Sequence, residues 1–240
     1  MNTGTLLEGN ENMETVLVTG SSRGIGLELT RQFLDLDYEV IATYRGKPSS
    51  SLSQLAGEHQ YLRLINLEVT HQDSILGLAK HLKGIKLDII VNNAGISDPS
   101  DGDLDSLTAV DWANTFAVNT IAPLMVSRAL LDNLRLSSNP RIITISSQMG
   151  SLNHQGTGRY AYRSSKAAAN KVMQVLAQDL DADKIIVCPI HPGWVQTDMG
   201  GTMADITVVQ SATGIIDLIH HLTMEHSGRF FTWNGEEHQW

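Results

Sequence analysis

Short β-branched runs alternate along this chain with stretches whose apolar residues return every three or four positions. Val16 to Thr19, Glu39 to Thr43, Tyr61 to Ile65, Leu87 to Val91, Arg141 to Ile145 and Lys184 to Cys188 each read as a buried strand. Between the first two, Ile25, Leu29, Phe33 and Leu36 recur at helical spacing, as do Ile75, Leu78, Ala79 and Leu82 between the third and fourth. Gly228 to Trp233 suggests a seventh strand, Val110 to Leu134 one long apolar helix, and Val208 to Leu222 another. This alternation predicts an α/β fold, a doubly wound (Rossmann) parallel sheet of about seven strands. Right-handed crossovers then place helices on both faces and ligands outside the carboxyl ends of the strands.

A chain of 240 residues suits one domain with a sizeable core. Residues 14–240 are assigned to it, and the polar, acidic residues 1–13, which lack the features of a signal peptide, read as a flexible tail. A net charge of −9 without a long basic run argues against nucleic acid and anionic membrane surfaces as partners. A single cysteine, Cys188, excludes an internal disulfide framework, and no apolar run is long enough to span a bilayer, so a cytoplasmic protein is expected. Ser97 to Ser106 is acidic and rich in turn formers. Its Asp98, Asp101, Asp103 and Asp105 lack the bidentate glutamate that closes a calcium loop, so the segment reads as a solvated surface loop and no metal is expected.

Two motifs carry chemistry. Thr19-Gly20-Ser21-Ser22-Arg23-Gly24-Ile25-Gly26 follows the first strand and opens an amphipathic helix, so its glycines let the backbone turn tightly and approach a pyrophosphate at the helix N-terminus. Far downstream, Tyr162 and Lys166 stand four residues apart, on one helical face, where a cation lowers the pKa of a phenol. Tyr160 competes for that role but lies six residues before Lys166, on another face or in the preceding loop. No acid ends the second strand to hold the ribose hydroxyls of NAD. Arg23 and Arg45 stand where two guanidinium groups can meet a 2′-phosphate, which favours NADP (NADPH) as cofactor.

The spacing Gly-x-x-x-Gly-x-Gly, together with Asn92-Asn93-Ala94-Gly95, Asn119, Ser147, Tyr162 with Lys166, and Pro192-Gly193-Trp194-Val195-Gln196-Thr197, resembles the short-chain dehydrogenase/reductase family over nearly the whole chain. The group it looks most like is that of the C-factor and sniffer-type carbonyl reductases. The resemblance implies that Gly20, Ser22, Arg23, Gly24, Ile25, Gly26, Arg45, Asn93, Ala94 and Gly95 border the dinucleotide, with Glu68-Val69 where the family has Asp-Val for the adenine. It places Pro192, Gly193, Val195 and Thr197 under the nicotinamide, and Tyr162 and Lys166 at both cofactor and substrate.

Catalysis is expected from Asn119, Ser147, Tyr162 and Lys166. Strand alternation lets only one of Ser146 and Ser147 face the pocket; the resemblance selects Ser147 to hold the carbonyl oxygen that Tyr162 protonates, which gives Ser146 the structural role. Pro123 has no N–H, so the carbonyl of Asn119 loses its helical partner. In the family the equivalent carbonyl holds a water that contacts the lysine. Met149, Leu152, Trp194 and Met199 are expected to form an apolar substrate wall, and Asn153 to Arg159 part of its rim. His191 and Cys188 read as core, and His220, His221 and His226 as surface.

The expected activity is hydride transfer between NADPH and a small apolar ketone or aldehyde. The alternative is a nucleotide-sensing or C-factor-like signalling protein with little turnover. The family also implies a homodimer or homotetramer, with helix faces around Asn119 to Leu134 and Ser165 to Leu180 pairing between subunits.

Overall fold

The computed structural model describes residues 13–240; the expected tail, Met13 apart, lies outside the described residues. Seven parallel strands form one sheet in the order β3-β2-β1-β4-β5-β6-β7. They are β1 (Thr15–Val18), β2 (Glu39–Tyr44), β3 (Leu62–Asn66), β4 (Ile89–Asn92), β5 (Arg141–Ile145), β6 (Ile186–His191) and β7 (Phe231–Thr232). Helices α1 (Gly24–Asp35), α2 (Ser50–Glu58), α3 (Gln72–His81), α4 (Ala109–Phe116), α5 (Ala122–Ala129), α6 (Leu131–Leu134), α7 (Tyr160–Asp179) and α8 (Val208–His221) fill the crossovers.

Strand alternation splits the core in two. Val16 and Val18 of β1 point to a cluster with Phe33 of α1 and Ile215 of α8, whereas Leu17 between them joins Leu78 of α3, Val126 of α5 and Met173 of α7 on the other face. Both faces are therefore covered, as the unbroken apolar strands require. Side-chain caps start several helices: Ser49 for α2, Thr108 for α4, and Thr207 with Gln210 in a reciprocal capping box for α8.

Three elements depart most from the sequence expectation. The expected strand Lys184 to Cys188 begins and ends later, at Ile186–His191, because Lys184 adopts a left-handed φ of 56° and closes a turn after α7. The expected helix over Val110 to Leu134 is broken into α4, a π-helical turn at Ala117–Ile121, α5 and α6. Pro123 in the first turn of α5 removes one N–H from the ladder, and the wider turn that precedes it carries Asn119. The seventh strand is real but contracts to Phe231–Thr232, paired to Ile190 and His191 of β6.

Candidate active site

A cavity of about 780 Å³ opens at the carboxyl ends of the strands, between the turn after β1, the segment after β4 and the loop after β6. Its size lies in the range of pockets that hold cofactors and drug-sized ligands. Every residue expected at the dinucleotide borders it except Gly193 and Val195. Val195 is instead buried and bridges to Ile206, the next main-chain N–H, of Gln196, donating to Ile206 at 2.9 Å.

The glycine turn is shaped for close backbone approach. Gly20 has a φ of +69°, and a β-carbon there would stand 2.9 Å from Ala94 Cα; one at Gly26 would stand 2.4 Å from the Gly20 carbonyl oxygen. Thr19 and Asn93 lock this turn to the segment after β4. The Thr19 hydroxyl accepts from the N–H groups of Asn93 and Ala94, both at 3.0 Å, and the Asn93 amide donates to the carbonyls of Thr19 (2.9 Å) and Gly20 (3.1 Å). These residues fit a dinucleotide phosphate: Gly20, Gly24 and Gly26 border the open cavity, and α1 presents its N-terminus there.

At the outer rim, Arg23 and Arg45 are both exposed, and both face carboxylates. Arg23 donates to Asp198 at 2.6 Å across the mouth of the cavity, and Arg45 Nε lies 3.8 Å from Glu68. Asp198 did not stand out in the sequence, because it lies 175 positions from its partner.

Tyr162 and Lys166 line the inner end, where Ser147 meets Tyr162 although Ser146, and not Ser147, borders the cavity. The Tyr162 hydroxyl is hydrogen-bonded to Ser147, whose Oγ also accepts from the Met149 N–H at 3.1 Å. Lys166 Nζ lies 5.7 Å from the centre of the Tyr162 ring and donates to the Ile145 carbonyl at 2.8 Å. Burial pulls the lysine down to about 8. Desolvation also pushes the Tyr162 phenol up, against the opposing pulls of the Ser147 hydrogen bond and the positive charge of Arg159. The positive charge of Arg159 thus acts on the phenol from one side, while the Lys166 ammonium lies over its ring.

Ser146, whose hydroxyl donates to Asn170 at 2.5 Å, is committed to packing β5 on α7. Tyr160 begins α7 and is exposed, away from Lys166.

Asn119 is 1 % exposed, and its side chain ties three elements. Its Oδ1 accepts from Ile96 N–H at 2.9 Å, while its Nδ2 donates to the Ile96 carbonyl (2.8 Å) and to Ser165 Oγ (3.1 Å) on α7. The π-helical turn thus fixes both the segment under the cavity and the helix that carries Tyr162.

The acidic segment Ser97 to Ser106 is not simply a solvated loop. Asp101 is fully buried, its two carboxylate oxygens accepting the N–H groups of Ala161 (2.8 Å) and Tyr162 (2.7 Å), and its carbonyl that of Arg159 (2.7 Å). It caps α7 from sixty positions upstream, in place of Arg159, whose own side chain makes no cap.

The expected apolar wall is divided. Met199 borders the main cavity and Met149 a second one of about 430 Å³, but Leu152 and Trp194 are exposed and border neither. The indole of Trp194 donates to the Gly200 carbonyl at 2.8 Å and braces its own loop. His191 and Cys188 are buried in β6, and burial holds the histidine down to about 4 and the thiol up to about 12.

Solved structures share this fold over almost the full chain. The NADPH-bound carbonyl reductase from chicken fatty liver superposes with a TM-score of 0.89 at 36% identity, covering 95% of this chain and 99% of that one. The carbonyl reductase Sniffer of D. melanogaster gives 0.90 at 30% identity, covering 95% and 100%. C-signal of Myxococcus xanthus is 42% identical over 158 residues, 64% of this chain and 93% of that protein. The profile of the short chain dehydrogenase family matches residues 14–206, spanning the glycine turn, Tyr162, Lys166 and the loop after β6. The chain is therefore a short-chain dehydrogenase/reductase, an oxidoreductase family that uses a nicotinamide cofactor, and within it resembles the C-factor and sniffer-type members.

Proposed function

We propose that this protein is an NADPH-dependent carbonyl reductase, reducing small ketones or aldehydes and oxidising the corresponding alcohols. The observation that carries the reading is the hydrogen-bonded Tyr162–Ser147 pair beside Lys166, at the inner end of a cavity whose outer rim bears Arg23 and Arg45. The cofactor would lie between the glycine turn, the Asn93 to Gly95 segment and the loop from Pro192 to Thr197, and it supplies the hydride. Arg23 and Arg45 supply charge-assisted donors for a 2′-phosphate once they leave Asp198 and Glu68.

The chain's own work is proton transfer and positioning. Ser147 Oγ holds the substrate oxygen, and the Tyr162 phenol gives that oxygen its proton during reduction and takes it back during oxidation. The Lys166 ammonium leaves Ile145 to stabilise the phenolate, and the carbonyl of Asn119, deprived of its i+4 donor by Pro123, supports a route from Lys166 to solvent. A homodimer or homotetramer is proposed on family grounds.

Turnover of a panel of ketones and aldehydes, followed by loss of NADPH absorbance, tests this reading. Tyr162→Phe is expected to lower kcat by a factor on the order of 10²–10⁴ while NADPH still binds. The likeness to C-signal supports a second reading, a nucleotide-responsive signalling protein. Tight NADPH binding without turnover of any substrate on the panel would select it.

A further inference from the structure

Arg159 is the least expected residue at its position. It stands immediately before α7, where Ser, Thr, Asp or Asn is preferred, and its φ of 54° puts a non-glycine residue in the left-handed region. Its positive charge faces the positive end of the helix dipole. Asp101 offsets these costs by capping the helix and accepting the Arg159 N–H. Neighbouring structure therefore holds in place a residue that the helix itself disfavours. Such strain at the edge of a reactive site points to use.

The guanidinium donates to Ser97 Oγ at 2.9 Å, two residues beyond Gly95. It pairs with no carboxylate among the described residues, whereas Arg23, Arg45 and five other arginines do. It lines the second cavity together with Met149, Leu104 and Tyr160. Asp103, the carboxylate that lines the same cavity, is engaged through Oδ1 with the Asp105 N–H at 3.1 Å. One turn along α7, Arg163 adds a second guanidinium near this rim, reaching the His154 carbonyl at 3.5 Å with its Nε unpartnered. The site thus joins the apolar side chains of Met149 and Leu104 to a guanidinium without a direct carboxylate partner among the described residues, Asp103 being the carboxylate that shares the lining, and it lies within electrostatic reach of the Tyr162 hydroxyl.

We propose that Arg159 anchors an anionic group of the substrate, so that carbonyl compounds bearing a carboxylate a few bonds from the reacting carbon are preferred over their neutral counterparts. This rests on the reductase reading and specifies its substrate class. A carboxylate there takes up free donors of a planar guanidinium while its hydrocarbon linker covers Met149.

The test pairs keto acids of increasing chain length with their methyl esters, all assayed with NADPH. At one chain length the wild type is expected to show a higher kcat/KM for the acid than for the ester. Arg159→Met is expected to lower that acid-to-ester ratio about 10-fold or more, and Arg159→Lys to lower it less. Arg159→Gly relieves the left-handed backbone, so it is expected to melt at or above the wild-type temperature while losing the acid preference. An ester preference in the wild type at every chain length, or an unchanged ratio in Arg159→Met and Arg159→Gly, overturns the proposal.

Calorimetric titration of the NADP⁺-loaded protein with the same acids and esters separates the proposal from the reductase reading. Acid binding that exceeds ester binding only when Arg159 is present upholds the anchor even without turnover. Equal binding of acid and ester overturns it, whatever the activity.

Discussion

Lys166 shows how a single residue can be placed at the expense of stability. Buried at 5 % exposure, it offers its ammonium one protein acceptor, the Ile145 carbonyl, and burial draws its pKa to about 8 from an ordinary 10.5. The folded state therefore releases this proton near pH 8 and the unfolded state only near 10.5, so between those values the unfolded chain binds more protons and stability rises with pH. Below that window both states are charged, and the desolvated ammonium costs the cofactor-free protein on the order of 3 kcal/mol, part of it returned by the Ile145 bond. Lys166→Met is accordingly expected to abolish reduction yet stabilise the cofactor-free protein by about 1–2 kcal/mol at pH 7, with most of the gain gone by pH 10. Urea unfolding of both proteins at the two pH values checks this, and a gap that widens with pH would refute it.

Among the elements, α7 matters most, because Tyr162 and Lys166 have only the geometry that helix gives them. Its first turn is set by Asp101 and its next by the Asn119–Ser165 bond, so segments far away in sequence decide where the phenol stands. Asp101→Asn keeps one acceptor and turns an NH₂ against the second N–H. It is expected to cost about 1–2 kcal/mol in stability and to lower kcat severalfold, with NADPH affinity nearly unchanged since Asp101 does not border the main cavity. Denaturant titration, single-turnover kinetics and cofactor titration read these three quantities separately.

The same helix marks how much the sequence could reveal. The glycine turn, the Tyr162–Lys166 offset and the strand alternation were legible because each is a local pattern with a period or a fixed spacing. Asp101 looked like one acid among several in a polar loop, and Arg159 like a surface residue of the rim, since a cap supplied across sixty positions leaves no local trace. The long helix was overread because apolar periodicity continues through Asn119 and Pro123, while the extra residue of a π-helical turn changes hydrogen bonding and not composition.

For the molecule as a whole, cofactor entry meets a bridge between its two ends. Arg23 in the turn after β1 and Asp198 in the loop after β6 join across the cavity mouth, with side chains 80% and 76% exposed. A pair so solvated is worth only ~0–1 kcal/mol, whereas a guanidinium meeting a phosphate through charge-assisted bonds gains roughly 1.5–3 kcal/mol, so the phosphate should win the arginine. On the proposed NADPH reading the bridge is a weak competitor, expected to break when a 2′-phosphate binds and to re-form when it leaves. Asp198→Asn should tighten NADPH about two- to fivefold and speed its arrival, with a smaller effect on NADH, which has no 2′-phosphate to claim Arg23. Arg23→Ala should weaken NADPH by about tenfold or more and leave NADH within about twofold. Because the gain in Asp198→Asn comes from removing an exposed ion pair, it should fade as salt is raised, while the loss in Arg23→Ala should shrink but persist. Cofactor titrations by tryptophan quenching at low and high salt distinguish the two variants. If Asp198→Asn tightens NADPH and NADH equally, Asp198 repels any dinucleotide and does not compete for Arg23.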